Sequence, residues 1–142
     1  MNRIRLFCFP YAGGSSEIFL RWKKYLDQNI ELNPIELSGR GHRCNELFYD
    51  DFESVIEDVY KIIKYSLSDV PYAFLGHSMG SLIAYELCYK LIEFGDEPPI
   101  HIFFRKKCTQ YQKGRKDGLF IIGYRIAKKV KRTWRYPGGS IQ

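Results

Sequence analysis

Nowhere in this sequence do apolar residues run on for the roughly 18 positions that suggest a membrane-spanning helix. Nor is there the long apolar middle of a secretory leader: after Arg3 and Arg5 a brief apolar stretch stops at Pro10 and the Gly13-Gly14 pair. A cytoplasmic protein with no membrane partner is expected. Cysteine is sparse, and Cys8, Cys44, Cys88 and Cys108 stand apart without C-x-x-C pairing. That spacing gives no support to a zinc site or a disulfide framework, so free thiols, no metal and no cofactor are expected. Acidic residues nearly vanish after position 104: residues 1–104 hold 10 Lys+Arg against 15 Asp+Glu, a net −5, whereas residues 105–142 hold 12 against 1, a net +11. Attraction to nucleic acid or to anionic surfaces would rest on that tail alone, and no recognition motif accompanies its charge. No nucleic-acid partner is expected. Repeats and low-complexity segments are also missing.

What remains is an ordinary globular composition, 45% hydrophobic and 27% charged, in 142 residues, enough for one domain with a single core. Ile4, Leu6, Phe7, Cys8 and Phe9 crowd into a buried strand over 4–9 that ends at Pro10. Ser15 and Ser16 are candidate caps for a helix over 17–26, with Glu17 in its first turn where the dipole favours negative charge. A second strand is predicted over 30–37, at an edge or interrupted, because Pro34 removes one ladder donor. Between 50 and 67, Phe52, Val55, Ile56, Val59, Ile62 and Ile63 recur at three- and four-residue spacing, one face of a helix. A short strand over 72–75, a helix over 81–94 closed by Gly95, and an apolar strand over 100–104 follow. Strands alternating with helices through short connections define an α/β fold, a mostly parallel sheet with flanking helices. Beyond 104, Leu119, Ile122, Ile126 and Val130 fit a helical stripe with a basic opposite face, set against a solvated or disordered tail.

Chemistry concentrates at Gly76-His77-Ser78-Met79-Gly80, a Gly-x-Ser-x-Gly run between the predicted strand and helix. A sharp strand-to-helix bend forces its central residue into a strained conformation, and flanking glycines are needed where a Cβ would clash. Gly76 and Gly80 meet that need. Ser78 would then stand above the sheet at a helix N-terminus, where unpaired amides and the dipole favour developing negative charge, the geometry of acyl transfer. His77, beside the serine, should be turned away from its hydroxyl and reads as a packing residue. His42 and His101 read as structural or exposed.

Phe9-Pro10-Tyr11-Ala12-Gly13-Gly14 near the start, Ser38-Gly39-Arg40-Gly41-His42-Arg43 in the middle and the Ser78 pentapeptide occur in order and at compatible spacing. Through these three motifs, residues 3–104 closely resemble the type II thioesterases, the external editing α/β-hydrolases of nonribosomal peptide and polyketide antibiotic synthesis. The resemblance implies hydrolysis of acyl thioesters from the phosphopantetheine arm of acyl or peptidyl carrier proteins, by a protein that is a monomer if folded. It implies Ser78 as nucleophile and the amide of Met79 as one oxyanion donor. The second donor would come from Ala12, with neighbouring Tyr11 and Gly13 as alternatives. Arg40 and Arg43 are candidate contacts to the carrier or its phosphate, against a plain solvated loop. A general esterase or lipase of the same fold is the second enzymatic reading.

The sequence departs from that family's pattern after Ser78. The superfamily order places an acid and then a histidine downstream, but Asp96, Glu97 and Asp117 match no triad position, and Ser140 in Tyr136-Pro137-Gly138-Gly139-Ser140 stands where a histidine would be needed. Loss of a triad member leaves only about 10³ to 10⁴ of catalysis over water, so weak turnover is expected. Residues 1–104 thus read as the amino-terminal part of a thioesterase domain, an incomplete α/β-hydrolase. Residues 105–142 read as a basic, non-family tail, disordered or an out-of-frame continuation, with strand 100–104 left at an exposed edge. On this reading an inactive fragment, or a remnant that binds carrier proteins, is the non-enzymatic alternative.

Overall fold

The computed structural model describes residues 3–107 and 119–125. Its elements are β1 (Ile4–Phe9), α1 (Glu17–Leu20), β2 (Ile30–Pro34), α2 (Phe52–Ile63), β3 (Tyr72–His77), α3 (Met79–Glu93), β4 (His101–Lys107) and β5 (Leu119–Arg125). The strands form one sheet in the order β2-β1-β3-β4-β5. The first three pairings are parallel, and β5 runs antiparallel to β4.

Strand β1 is buried on both faces, which explains why its sequence is nearly all apolar rather than alternating. Phe7 and Phe9 point to one side, into a core with Val55, Ile56, Val59 and Ile63 of α2 and Ile83, Leu87 and Leu91 of α3. Leu6 and Cys8 point to the other, where Phe19 of α1 and Trp22 close a smaller core. Burial pushes the Cys8 thiol up to about 12 and that of Cys88 to about 11; Cys44 is exposed.

Several element boundaries differ from expectation, each for a local reason. The helix predicted over 17–26 is one four-residue turn followed by a 3-10 turn at Lys23–Tyr25. Phe19 and Trp22 pack edge-to-face at 5.6 Å, and the amides of Trp22 and Tyr25 bond three residues back, which tightens the chain. Ser16 gives that helix no side-chain cap, because its amide and hydroxyl both go to Glu36. β2 stops at Pro34 and lies at the sheet edge, as the missing proline donor requires. α2 begins at Phe52 with Asp51 as cap, its carboxylate accepting the Ser54 amide at 2.7 Å; Phe52 and Ile62 of the predicted stripe are partly exposed. α3 starts two residues earlier than predicted and ends in a Schellman turn, with Gly95 at φ +79°, its amide on Ile92 and that of Asp96 on Leu91.

The expected open edge at residues 100–104 is corrected: β5 pairs along β4 from His101↔Arg125 to Lys107↔Leu119. The helical reading of Leu119 and Ile122 is corrected with it. The run Leu119-Phe120-Ile121-Ile122 is rich in β-branched and aromatic residues, and the edge of β4 offers a ladder to pair with, whereas a short helix without packing is marginal in water. Ile126, Val130 and the Ser140 turn lie outside the described residues.

Topology also decides where a site can form. The connection after β1 leads to β2 on one side, and the chain then crosses to β3 on the other, so the loops leaving β1 and β3 diverge above the same pair of strands. In open α/β sheets the crevice at such a reversal, beyond the carboxyl ends of the strands, is where ligands bind. Here it lies between residues 10–16 and Ser78.

Candidate active site

Ser78 links β3 directly to α3 at φ +55°, ψ −113° and is the one non-glycine residue with positive φ among the described residues. Such a conformation costs of order 1–3 kcal/mol and persists only where surrounding structure enforces it. Three hydrogen bonds do so: the Ser78 amide donates to the Arg105 carbonyl on β4 at 2.9 Å, its carbonyl accepts from the Ser81 amide at 2.9 Å, and the Ser81 hydroxyl returns to the Gly76 carbonyl at 2.9 Å. The Ser78 residue itself is exposed. Met79 opens α3, so the first amides of that helix have no acceptor within it and point toward the bend.

The two glycines are required by proximity. A Cβ on Gly76 would meet the Gly80 carbonyl oxygen at 2.3 Å and the Ser81 Cα at 2.4 Å. One on Gly80 would meet the Phe9 carbonyl oxygen at 2.0 Å and that of Pro10 at 2.8 Å. The second contact lets the loop after β1 lie directly against the start of α3.

That loop turns at Tyr11–Gly14, where the Gly14 amide donates to the Tyr11 carbonyl at 2.9 Å and Gly13 adopts φ +78°. Ala12 is exposed at the corner. The Tyr11 ring packs edge-on against His77 at 5.1 Å, tying the turn to β3 and occupying the histidine ring as a packing surface. His101 lies against Phe103 at 4.4 Å.

Arg40 and Arg43 separate. The Arg40 guanidinium lies over the Phe48 ring at 4.9 Å, and its Nη2 is 4.0 Å from the position a Cβ on Gly13 would take, so this cation borders the turn. Arg43 faces α2 instead: it donates to Glu46, to Asp58 at 2.8 Å and to the Glu36 carbonyl at 3.0 Å. Hydrogen bonds to Glu46 and then to Asp58 hold the Arg43 pKa above the ordinary guanidinium value. At Asp58, burial opposes ionisation, but hydrogen bonds from Arg43 and Tyr49 outweigh it and keep the carboxyl below its usual range. Tyr49, raised to about 12 by burial and then by Asp58, also accepts the Ser38 amide at 2.9 Å. Arg43 is therefore committed to holding loop 38–49 on α2, a role its sequence position did not reveal.

Sequence reasoning also missed Glu36. It lies between buried Ile35 and Leu37 and is itself 5% exposed. Its carboxylate accepts the Ser16 amide at 2.9 Å and the Ser16 hydroxyl at 2.7 Å, and His42 Nδ1 lies 3.2 Å away. An acid inside an apolar run is the signal that could have found it. Among the described residues, no group of three or more His, Cys, Asp or Glu is arranged to hold a metal, and no helix is long and apolar enough to cross a membrane.

A parallel sheet with a serine raised on a strained strand-to-helix bend at its switch point defines an α/β-hydrolase-type site. The thioesterase-domain family profile matches residues 4–106, and the chain belongs to that family. GrsT, the gramicidin S biosynthesis protein of Aneurinibacillus migulanus, is 39% identical over 101 residues, covering 71% of this chain and 39% of that protein. The medium-chain S-acyl fatty acid synthase thioesterase of Anas platyrhynchos is 37% identical over 100 residues, 70% of this chain and 40% of its own length. Among solved structures, RedJ, a thioesterase from the prodiginine pathway of Streptomyces coelicolor, superposes with a TM-score of 0.68 at 39% identity, over 72% of this chain and 38% of that one. ClbQ from the colibactin NRPS/PKS pathway gives 0.71 at 29% identity, over 81% and 48%. The chain thus spans about two fifths of the length of these curated relatives. The fold and the resemblance to type II thioesterases of peptide and polyketide pathways agree with the expectation from the three sequence motifs.

Proposed function

We propose that this chain carries the nucleophile side of a cytoplasmic serine thioesterase acting on acyl groups tethered to the phosphopantetheine arm of carrier proteins. The observation that carries the reading is the Ser78 bend, exposed at the switch point with positive φ at a non-glycine residue. Ser78 Oγ attacks the thioester carbonyl and gives its proton to water. The tetrahedral intermediate, its oxygen negatively charged, collapses with cleavage of the C–S bond, and the pantetheine sulfur leaves as the thiol after taking a proton. A water molecule then hydrolyses the acyl-serine to the free acid. The amides of Met79 and of Ala12 in the facing turn stabilise the charged oxygen of the intermediate. Arg40, at the edge of the turn, is the contact for the phosphate of the arm. The pairing of Arg43 with Glu46 and Asp58 favours Arg40 over it for that contact.

What the described residues supply to acylation is the bend geometry at Ser78 and the oxyanion donors beside it. A general esterase of the same fold is separated from this reading by substrate choice. Relative to their uncatalysed rates, an acyl-pantetheine thioester is expected to be cleaved at least tenfold better than the matched oxygen ester, with thiol or alcohol release as the readout. A preference for the oxygen ester would assign the site to the esterase class.

A further inference from the structure

The turn at Tyr11–Gly14 is short and exposed at Ala12; Tyr11 ties its entry to β3 through His77, and its exit past Gly13 is held from a different side. Ser16, two residues past the turn, gives up its helix-capping role to bond Glu36 through both its amide and its hydroxyl. The same carboxylate faces loop 38–43, where His42 Nδ1 lies 3.2 Å from Oε2 and Gly41, at φ +47°, leaves no room for a side chain: its Cβ would fall 2.1 Å from that oxygen. The Glu36 side chain is 2% exposed, while His42 is 75% exposed and closes the pair from outside. A carboxylate in that position is anchored by charge-assisted bonds from one loop and sealed by the other, so the two loops share a register.

We propose that Glu36 is a positioning residue that fixes the turn presenting the Ala12 amide relative to Ser78, and at the same time fixes the loop carrying Arg40 relative to that turn. The inference deepens the thioesterase reading and rests on it for its catalytic meaning. In Glu36→Gln the neutral amide keeps the volume but loses the charge assistance to Ser16 and the pairing with His42. In Gly41→Ala the carboxylate is pushed from its seat although it remains present.

The test uses the full chain and amide hydrogen exchange resolved by peptide. Both variants are expected to accelerate exchange across residues 11–17 at least tenfold while β3 and α3 keep the parent rates. Thioester cleavage is expected to show kcat lowered tenfold or more and KM changed less than threefold. Should both variants fail to fold, Ser16→Ala, which removes only the 2.7 Å hydroxyl bond, is expected to give a several-fold acceleration over the same residues. Unchanged exchange at 11–17 in folded variants, or equal acceleration through β1, β3 and α3, overturns the proposal. Ser78→Ala serves as the separating control. It leaves exchange at 11–17 at the parent rate, and cleavage as fast as the parent would overturn the role of Ser78 while the exchange result still decides whether Glu36 holds the turn.

Discussion

Replacing Gly80 with alanine is expected to destabilise the protein by on the order of 4 kcal/mol, read as a lower urea midpoint at unchanged m-value. Helix propensity alone would predict the opposite sign, a gain of about 1 kcal/mol for Gly→Ala inside a helix. Proximity decides against it. The new methyl would fall 2.0 Å from the Phe9 carbonyl oxygen and 2.5 Å from its carbon, backbone atoms of β1 that have no rotamer to change. Relief would require α3 to move off the sheet, breaking the contacts of Ile83, Leu87 and Leu91 in the main core. Gly95→Ala is the comparison. Nothing lies within 4 Å of its Cβ, and only the φ of +79° resists, so about 1 kcal/mol is expected there. Equal, small effects at both positions would mean that α3 does not approach the end of β1 this closely.

Ser78→Gly is expected to stabilise the protein by about 1–2 kcal/mol, while Ser78→Ala leaves stability within about 0.5 kcal/mol of the parent. Both remove the hydroxyl, but only glycine removes the Cβ that makes φ +55°, ψ −113° costly. The gain falls short of the full strain because glycine also enlarges the unfolded ensemble. The hydroxyl's own contribution is small because the residue is exposed. A glycine variant no more stable than the alanine variant would mean that the bend is not strained, and the reason for placing a reactive group there would weaken. A stability gain coupled to loss of the reactive group is the trade-off expected where a site stores strain.

How much of this could be read in the residues depended on how local each determinant is. The face of α2 was legible from the spacing of Val55, Ile56, Val59 and Ile63, and the end of α3 from Gly95, because periodicity and caps act within a turn or two of helix. The Ser78 bend was legible because a strand, two glycines and a helix follow one another without interruption. The short α1 was not, since it gives way where Phe19 packs on Trp22 and the Trp22 and Tyr25 amides bond three residues back, and the diversion of the Ser16 cap to Glu36, 20 residues away, was hidden too. A separation of 15 residues between Arg43 and Asp58 hid the different contacts of Arg40 and Arg43. The two lie in one loop and look alike in sequence, yet Arg43 pairs with Asp58 on α2 whereas Arg40 lies beside Gly13. β5 was hidden because an apolar run with a helical repeat reads as a helix until its partner is known, and the open edge of β4 supplies the ladder.

The most direct test of a reactive hydroxyl at the bend is the site of covalent modification. The full chain is treated with a fluorophosphonate, digested and sequenced by mass spectrometry. A single adduct on Ser78, lost in Ser78→Ala, is the predicted result; an adduct on a different serine, or a folded protein that stays unmodified, would contradict it.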